Sequence, residues 1–160
     1  MKGDRKMKDI RKVNINVTYD PNHKGAHYTI DGEHFMNAGD LAECLVKAAH
    51  GLDPVKDGNG AFDKVADVPE YNASVKSSNA TVCGRKLADD KAEFIEKFLE
   101  QSVANSYWYV IVDGNKVTTY KMNVATFHKF LTKFANINER GALRLPKTTT
   151  MMLRWLDTNA

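Results

Sequence analysis

The chain has 160 residues, 42% of them hydrophobic and 27% charged. This composition predicts a single folded domain over residues 1–160 and excludes a disordered or collagen-like chain. The longest uncharged apolar run, Tyr107 to Val112, is far shorter than the roughly 20 residues that a membrane helix needs. The first twelve residues lack the apolar core of a signal peptide, so we expect a soluble, cytoplasmic protein with no membrane partner.

Charge is distributed unevenly along the chain. The net charge of +3 arises from 23 basic and 20 acidic residues: residues 1–12 contribute +4, residues 139–160 contribute +2, and the residues between them contribute −3. Basic ends around an acidic centre suit a protein that binds phosphates at its margins, although a solvated surface with basic ends explains the same distribution. We expect residues 1–12 to form a basic tail, with candidate phosphate contacts at Lys6, Lys8, Arg11 and Lys12.

The first elements in chain order form a β-ribbon and a helix. Val13–Tyr19 alternates apolar and polar residues with the period of a strand and ends at a turn. The Asp31-Gly32 pair favours a tight hairpin between His27–Ile30 and Glu33–Met36. Apolar residues then recur at helical spacing over Asp40–His50, which predicts the first helix.

The middle of the chain alternates strands and helices. We expect a short strand near Asp63–Val68 and another over Tyr71–Lys76. An apolar stripe over Asp90–Val103 predicts a helix whose N-terminus carries acidic residues. The run Tyr107–Val112 has the aromatic and β-branched composition of a buried central strand, so core packing of its aromatic rings is favoured over base stacking.

The last third predicts a hairpin and two helices. Lys116–Tyr120 pairs with the preceding strand through a tight turn, and Asn123 caps a helix over Val124–Phe134. A last helix follows Pro146. The predicted fold is therefore α/β, with a mixed central sheet of at least four strands that is flanked by helices, an N-terminal β-ribbon and C-terminal helices.

Residues with the chemistry of phosphodiester hydrolysis concentrate between positions 62 and 78. Asp63, Asp67 and Glu70 precede Lys76, which ends a predicted strand, and Ser74 lies on the same strand face as Lys76 because the side-chain period is two. Carboxylates can hold Mg²⁺, which polarises a phosphate and lowers the pKa of water, and a lysine can orient that water or stabilise developing charge. The residue types alone are common in proteins without this chemistry.

The order of these elements resembles the PD-(D/E)xK nuclease superfamily, whose restriction-endonuclease-like core runs helix, strand, strand, helix, strand (αββαβ). The resemblance covers residues 39–113. It implies that Asp67 is the first metal-binding aspartate, that Lys76 is the catalytic lysine, and that Glu43 is the acidic residue that some members carry on the first helix. It also implies Mg²⁺ as cofactor and DNA as the partner. Ser74, Ser77 and Ser78 are candidate contacts to the phosphate backbone, although polar residues that end a strand need no function.

One position departs from the family motif. Ser74 stands where the family usually has Asp or Glu two residues before the lysine, so the second carboxylate has to come from elsewhere or is missing. Some restriction enzymes of the superfamily with S-x-K recover it from the following helix, where Asp90 and Glu93 share a face, although capping explains the same two residues.

Two further carboxylates are alternatives near the lysine. Glu70 is nearer to Lys76 than the helix residues are and can join the catalytic group. Asp63 is the alternative to Asp67 as the first metal ligand. Only eight residues separate Asp67 from Lys76, which leaves little room for two strands and a turn.

Two hypotheses of different classes follow. The first is a Mg²⁺-dependent DNA endonuclease. The second is a catalytically inactive relative of the same fold, from a phage or mobile element, that binds nucleic acid or inhibits a protein partner in the manner of anti-restriction or anti-CRISPR proteins. Both hypotheses are compatible with a homodimer.

Overall fold

The computed structural model describes residues 10–19, 28–30, 33–36, 45–51, 73–113 and 115–160. The strands are β1 (Ile10–Asn14), β2 (Val17–Tyr19), β3 (Tyr28–Ile30), β4 (Glu33–Met36), β5 (Ala73–Ser77), β6 (Thr81–Cys83), β7 (Ser106–Asp113), β8 (Lys116–Asn123), β9 (Asn136–Ile137) and β10 (Leu143–Arg144). The helices are α1 (residues 45–49), α2 (Lys91–Gln101), α3 (Val124–Phe134) and α4 (Thr150–Asn159).

A mixed sheet of four strands forms the centre of the described structure, in the order β1-β8-β7-β5. β5 and β7 are parallel and are connected through α2, whereas β7–β8 and β8–β1 are antiparallel pairs. The prediction of an α/β protein with a mixed sheet flanked by helices is confirmed. The first five residues of β7 are buried, as expected for the central strand at Tyr107–Val112.

Side-chain alternation along β7 divides the core between the two faces of this sheet. Tyr107 and Tyr109 belong to a large cluster with Phe94 of α2, Phe130 of α3 and Met152 of α4; we call this side the α2 face. The side chain between those tyrosines points the opposite way because the strand period is two.

Trp108 packs on that opposite side, which we call the α1 face, with Leu45, Val46 and Val75. All three aromatic residues of the Tyr107–Tyr109 run are at most 2% exposed, so the interpretation as core residues is confirmed.

The N-terminal segment differs from the prediction of one strand over Val13–Tyr19. The chain forms two strands instead, since β1 pairs with β8 in the central sheet while β2 joins β3 and β4 in a separate three-stranded sheet. Ile15 lies between them, is 5% exposed, and donates its backbone N–H to the carbonyl of Asn115 at 2.8 Å. The chain passes from the central sheet to the separate sheet at the buried Ile15. The alternation of apolar and polar residues over Val13–Tyr19 does not reveal where this change occurs. The hairpin of β3 and β4 is as predicted.

A third sheet, ordered β6-β10-β9, was not predicted. Its strands have only two or three residues, which is too short for a period-two pattern to be recognised. Val82 and Leu143 of this sheet are buried in the cluster on the α2 face, so it extends the same core.

Side-chain caps mark the starts of α2, α3 and α4, and the cap of α3 is the predicted one. Asp90 caps α2 and Asn123 caps α3, each through its side chain, and Thr149 caps α4, the helix expected after Pro146. The predicted helix over Asp40–His50 is described only from residue 45 onward, and the strand predicted near Asp63–Val68 lies outside the described residues. No helix within the described ranges combines the length and apolarity needed to cross a membrane.

Candidate functional site at the end of β5

Lys76 lies near the carboxyl end of β5, on the α2 face of the central sheet. In the ladder with β7, Ser74 is opposite Tyr107 and Lys76 is opposite Tyr109, while the intervening Val75 packs into the α1 face. Ser74 and Lys76 are both half-buried. The two residues therefore share one face of the strand, as their spacing predicts.

The turn after β5 is held by the segment that leads into α4. The backbone N–H of Thr148 donates to the Ser78 hydroxyl at 3.0 Å, and the Asn79 N–H donates to the carbonyl of Pro146 at 3.1 Å. Asn79 has a φ of 59°, in the left-handed region that asparagine tolerates better than most residues. The guanidinium of Arg144 also donates to the Asn79 carbonyl. The position of the chain directly after Lys76 is thus fixed by contacts about 70 residues away in sequence.

Tyr109 connects the neighbouring strand to the same segment. Its hydroxyl lies 2.6 Å from the Thr148 hydroxyl oxygen, and its side chain is fully buried. Burial raises the pKa of Tyr109, so the phenol stays protonated at neutral pH and can donate to Thr148. Lys76, Ser78, Tyr109 and Thr148 together form what we call the strand-end cluster.

The two candidate carboxylates on α2 have structural contacts. The Asp90 carboxylate accepts from the backbone N–H of Glu93 at 3.0 Å, as an N-cap does, and Glu93 forms an exposed ion pair with Lys97 at 3.0 Å. In the described ranges, no group of three or more His, Cys, Asp or Glu side chains could hold a metal ion. The capping interpretation of Asp90 thus has direct support.

The other predicted acidic residues, Glu43, Asp63, Asp67 and Glu70, lie outside the described residues. Their assignment as metal ligands stays a prediction. The described part of α1, which follows Glu43 in the chain, packs through Leu45 and Val46 on the α1 face, opposite Lys76.

The basic residues near the N-terminus lie at the far edge of the central sheet. Arg11 and Lys12 belong to β1, are exposed, and pair in register with Thr119 and Thr118 of β8. Two strands separate β1 from β5, and strands lie about 4.8 Å apart, so these residues are roughly 14 Å from the strand of Lys76. Lys6 and Lys8 lie outside the described residues.

Sequence reasoning missed the residues of the C-terminal segment that contact the turn after Lys76. Arg144 and Thr148 contact the turn after β5, and Lys147 stands between them in the chain. The run of three threonines after Lys147 does suggest a helix cap, but nothing in the local sequence connects it with Lys76. Comparison of the chain with known protein families, with curated proteins and with solved structures gave no match.

Proposed function

We propose that the protein is a Mg²⁺-dependent endonuclease-like enzyme that hydrolyses phosphodiester bonds in DNA, with Lys76 as its catalytic lysine. The observation that carries the proposal is the half-buried Lys76 near the carboxyl end of β5, a strand that is connected through the short β6 and then α2 to the parallel strand β7. This arrangement of strand, helix and strand is compatible with the last three elements of the αββαβ core that the sequence resembles.

The proposal assigns the metal to carboxylates, the ligands that Mg²⁺ prefers. Asp67 is the first ligand, and Asp63, Glu70 and Glu43 are the further candidates. When bound, Mg²⁺ supplies polarisation of the phosphate and a lowered pKa of water. Of the two carboxylates at the start of α2, Asp90 already caps the helix. Glu93 is more readily available as a metal ligand, because its ion pair with Lys97 is exposed and therefore weak.

Lys76 then acts on the phosphate through its charge. Its ammonium group orients the attacking water or stabilises the negative charge that develops on the phosphoryl oxygens. The strand-end cluster supports this role, because Thr148 bonds both to Ser78, which follows the lysine in the chain, and to Tyr109, its register partner on β7. A positioned charge contributes more to the transition state than to binding of the substrate.

The experiment compares cleavage of supercoiled and single-stranded DNA by the wild type with Mg²⁺ and with EDTA. We expect metal-dependent cleavage, a loss on the order of 100-fold or more in rate for Lys76→Ala, and unchanged DNA affinity. Lys116→Ala is the matched control, since Lys116 is an exposed lysine on β8 at a distance from the cluster. Asp67→Asn should lose activity in the same way and recover part of it at high Mg²⁺.

A second function is favoured by one observation. Ser74 shares the half-buried face with Lys76 at the position where the resembled family has a carboxylate. In this alternative the protein is an inactive relative that binds nucleic acid or inhibits a protein partner, and Lys76 is a phosphate or partner contact. Absence of metal-dependent cleavage on every substrate would refute the enzyme and leave the alternative.

A further inference from the structure

The last third of the chain carries most of the excess positive charge. Residues 115–160 contain eight Lys and Arg against two Asp and Glu, a net of +6, whereas the other residues contain 15 basic and 18 acidic ones, a net of −3. The basic segment forms β8, α3, α4 and the short strands between the two helices. Its charge is therefore concentrated on one part of the fold.

Six of the eight basic side chains of this segment are exposed, and none of the eight forms a salt bridge with another described residue. Four of them stand on α3, on α4 and just before α4; we call Lys129, Lys133, Lys147 and Arg154 the basic band. The ion pairs found among the described residues are Lys86–Asp89 and Lys97–Glu93, His128 also contacts Glu96, and none of these contacts includes a member of the band.

Neither of the two acidic residues of the segment forms an ion pair with a member of the band. Asp157 on α4 accepts a hydrogen bond from the hydroxyl of Tyr120 at 3.1 Å. Glu139 lies in the turn between β9 and β10. Exposed cations without acidic partners favour binding of an external polyanion.

Residues next to Lys147 and Arg154 connect their segments to the strand-end cluster and to α3. Lys147 precedes Thr148, which bonds to Ser78 and Tyr109 beside Lys76. Trp155, next to Arg154, packs against Phe130 of α3 with 5.6 Å between ring centroids. The two helices are thus neighbours.

On α3, Lys129 and Lys133 are four residues apart and share its exposed face. On the side of α3 that faces α2, His128 contacts Glu96, and Lys91 donates to the carbonyls of Thr132 and Ala135. The exposed cations of the band therefore lie on two packed helices and on the segment that contacts the strand-end cluster.

We propose that the basic band binds the phosphate backbone of duplex DNA and directs it to Lys76. This inference rests on the proposed function for the nature of the substrate, and it names a surface on which that substrate lies. A duplex carries one negative charge per about 1.7 Å of its axis, so cations spread over two packed helices can contact several phosphates at once. Each cation that neutralises a phosphate releases condensed counterions and gives affinity without sequence preference.

The test measures DNA affinity at several salt concentrations, in EDTA so that no cleavage occurs. The probe is a fluorescent 20-base-pair duplex, and the variants are the pairs Lys129→Gln with Lys133→Gln, and Lys147→Gln with Arg154→Gln. Each pair should reduce the slope of log affinity against log salt by about 1.8, because one phosphate contact contributes about 0.9. The matched control is Lys86→Gln with Lys97→Gln, which removes two exposed lysines that are paired with acids.

The outcomes separate this inference from the proposed function. Unchanged slopes in both band variants, an equal reduction in the control, or equally tight binding to phosphatidylserine vesicles or polyglutamate would overturn the DNA surface. Reduced slopes with no Mg²⁺-dependent cleavage by the wild type support the surface and refute the enzyme. Mg²⁺-dependent cleavage by the wild type, together with unchanged slopes in both band variants, supports the enzyme and refutes the DNA surface. Because all six substituted residues are exposed, melting temperatures should stay within a few degrees of the wild type.

Discussion

At the scale of single residues, the α2 face of the central sheet is organised by tyrosine hydroxyls. Tyr109 and Tyr120 are directly opposite each other in the ladder between β7 and β8, and each ring is at most 4% exposed. A buried phenol requires a hydrogen-bond partner, and these two find theirs at Thr148 and Asp157, just before and near the end of α4. The same two bonds attach α4 to the sheet beside Lys76.

Tyr120 should make stability depend on alkaline pH. Burial, followed by the hydrogen bond and the negative charge of Asp157, raises its pKa from 10.0 to about 12. The native protein keeps this proton over a range in which the unfolded chain releases it, so the contribution is complete below about pH 10 and decreases as pH rises toward 12. Urea unfolding should show that Tyr120→Phe costs about 1 kcal/mol at pH 9 and progressively less at higher pH.

Asp157→Asn is the control for this prediction, because it removes the charge that raises the Tyr120 pKa and keeps a side chain able to accept a hydrogen bond. It should reduce the pH dependence while Tyr120→Phe removes it. A free-energy difference between wild type and Tyr120→Phe that stays constant from pH 9 to pH 11 would contradict the assignment.

At the scale of elements, capping side chains define where the helices begin, and one cap is also a candidate metal ligand. Asp90 bonds to the Glu93 N–H at the start of α2, and Asn123 bonds to the Thr126 N–H at the start of α3. Serine caps a helix about as well as aspartate, whereas alanine does not. The roles of Asp90 as a cap and as a ligand can therefore be separated by substitution.

Asp90→Ala should lower the free energy of unfolding by about 1 kcal/mol, and Asp90→Ser should stay within a few tenths of the wild type. Cleavage activity with Mg²⁺ should survive Asp90→Ser if the residue is only a cap. Thermal unfolding and the cleavage assay on the same two variants make the measurement. If Asp90→Ser keeps full stability but loses Mg²⁺-dependent cleavage, Asp90 is instead a metal ligand.

Elements with a long repeat could be predicted from the sequence, and elements defined by distant contacts could not. The predicted bounds of α3 match the structure, because four aromatic or leucine side chains repeat on one face and Asn123 marks the start. β9 and β10 have two residues each, so they exist only because they pair with each other and because β10 also pairs with β6. At the site, the spacing of Ser74 and Lys76 predicted their common face, but the contact of Thr148 with Ser78 spans 70 residues and has no local signal.

At the scale of the whole molecule, exposed basic residues lie at both edges of the described central sheet. Arg11 and Lys12 are on β1 at one edge, while the basic band begins beside β5 at the other edge and continues over α4 and α3. The described part of α2, between these regions in sequence, carries the acidic Glu93 and Glu96. The charge distribution seen in the sequence is thus a property of separate surfaces, which can be tested separately.

If both basic regions contact one duplex, their contributions to salt dependence should add. Lys6→Gln with Lys8→Gln should reduce the slope of log affinity against log salt by about 1.8, and combination with Lys129→Gln and Lys133→Gln should reduce it by about 3.6. Additivity is expected because sites that share no partners are independent. The measurement is the duplex titration in EDTA, with Lys86→Gln and Lys97→Gln as the control. An unchanged slope in the Lys6 and Lys8 variant would remove the N-terminal segment from the interface, and a combined reduction no larger than either alone would mean that both regions compete for the same phosphates.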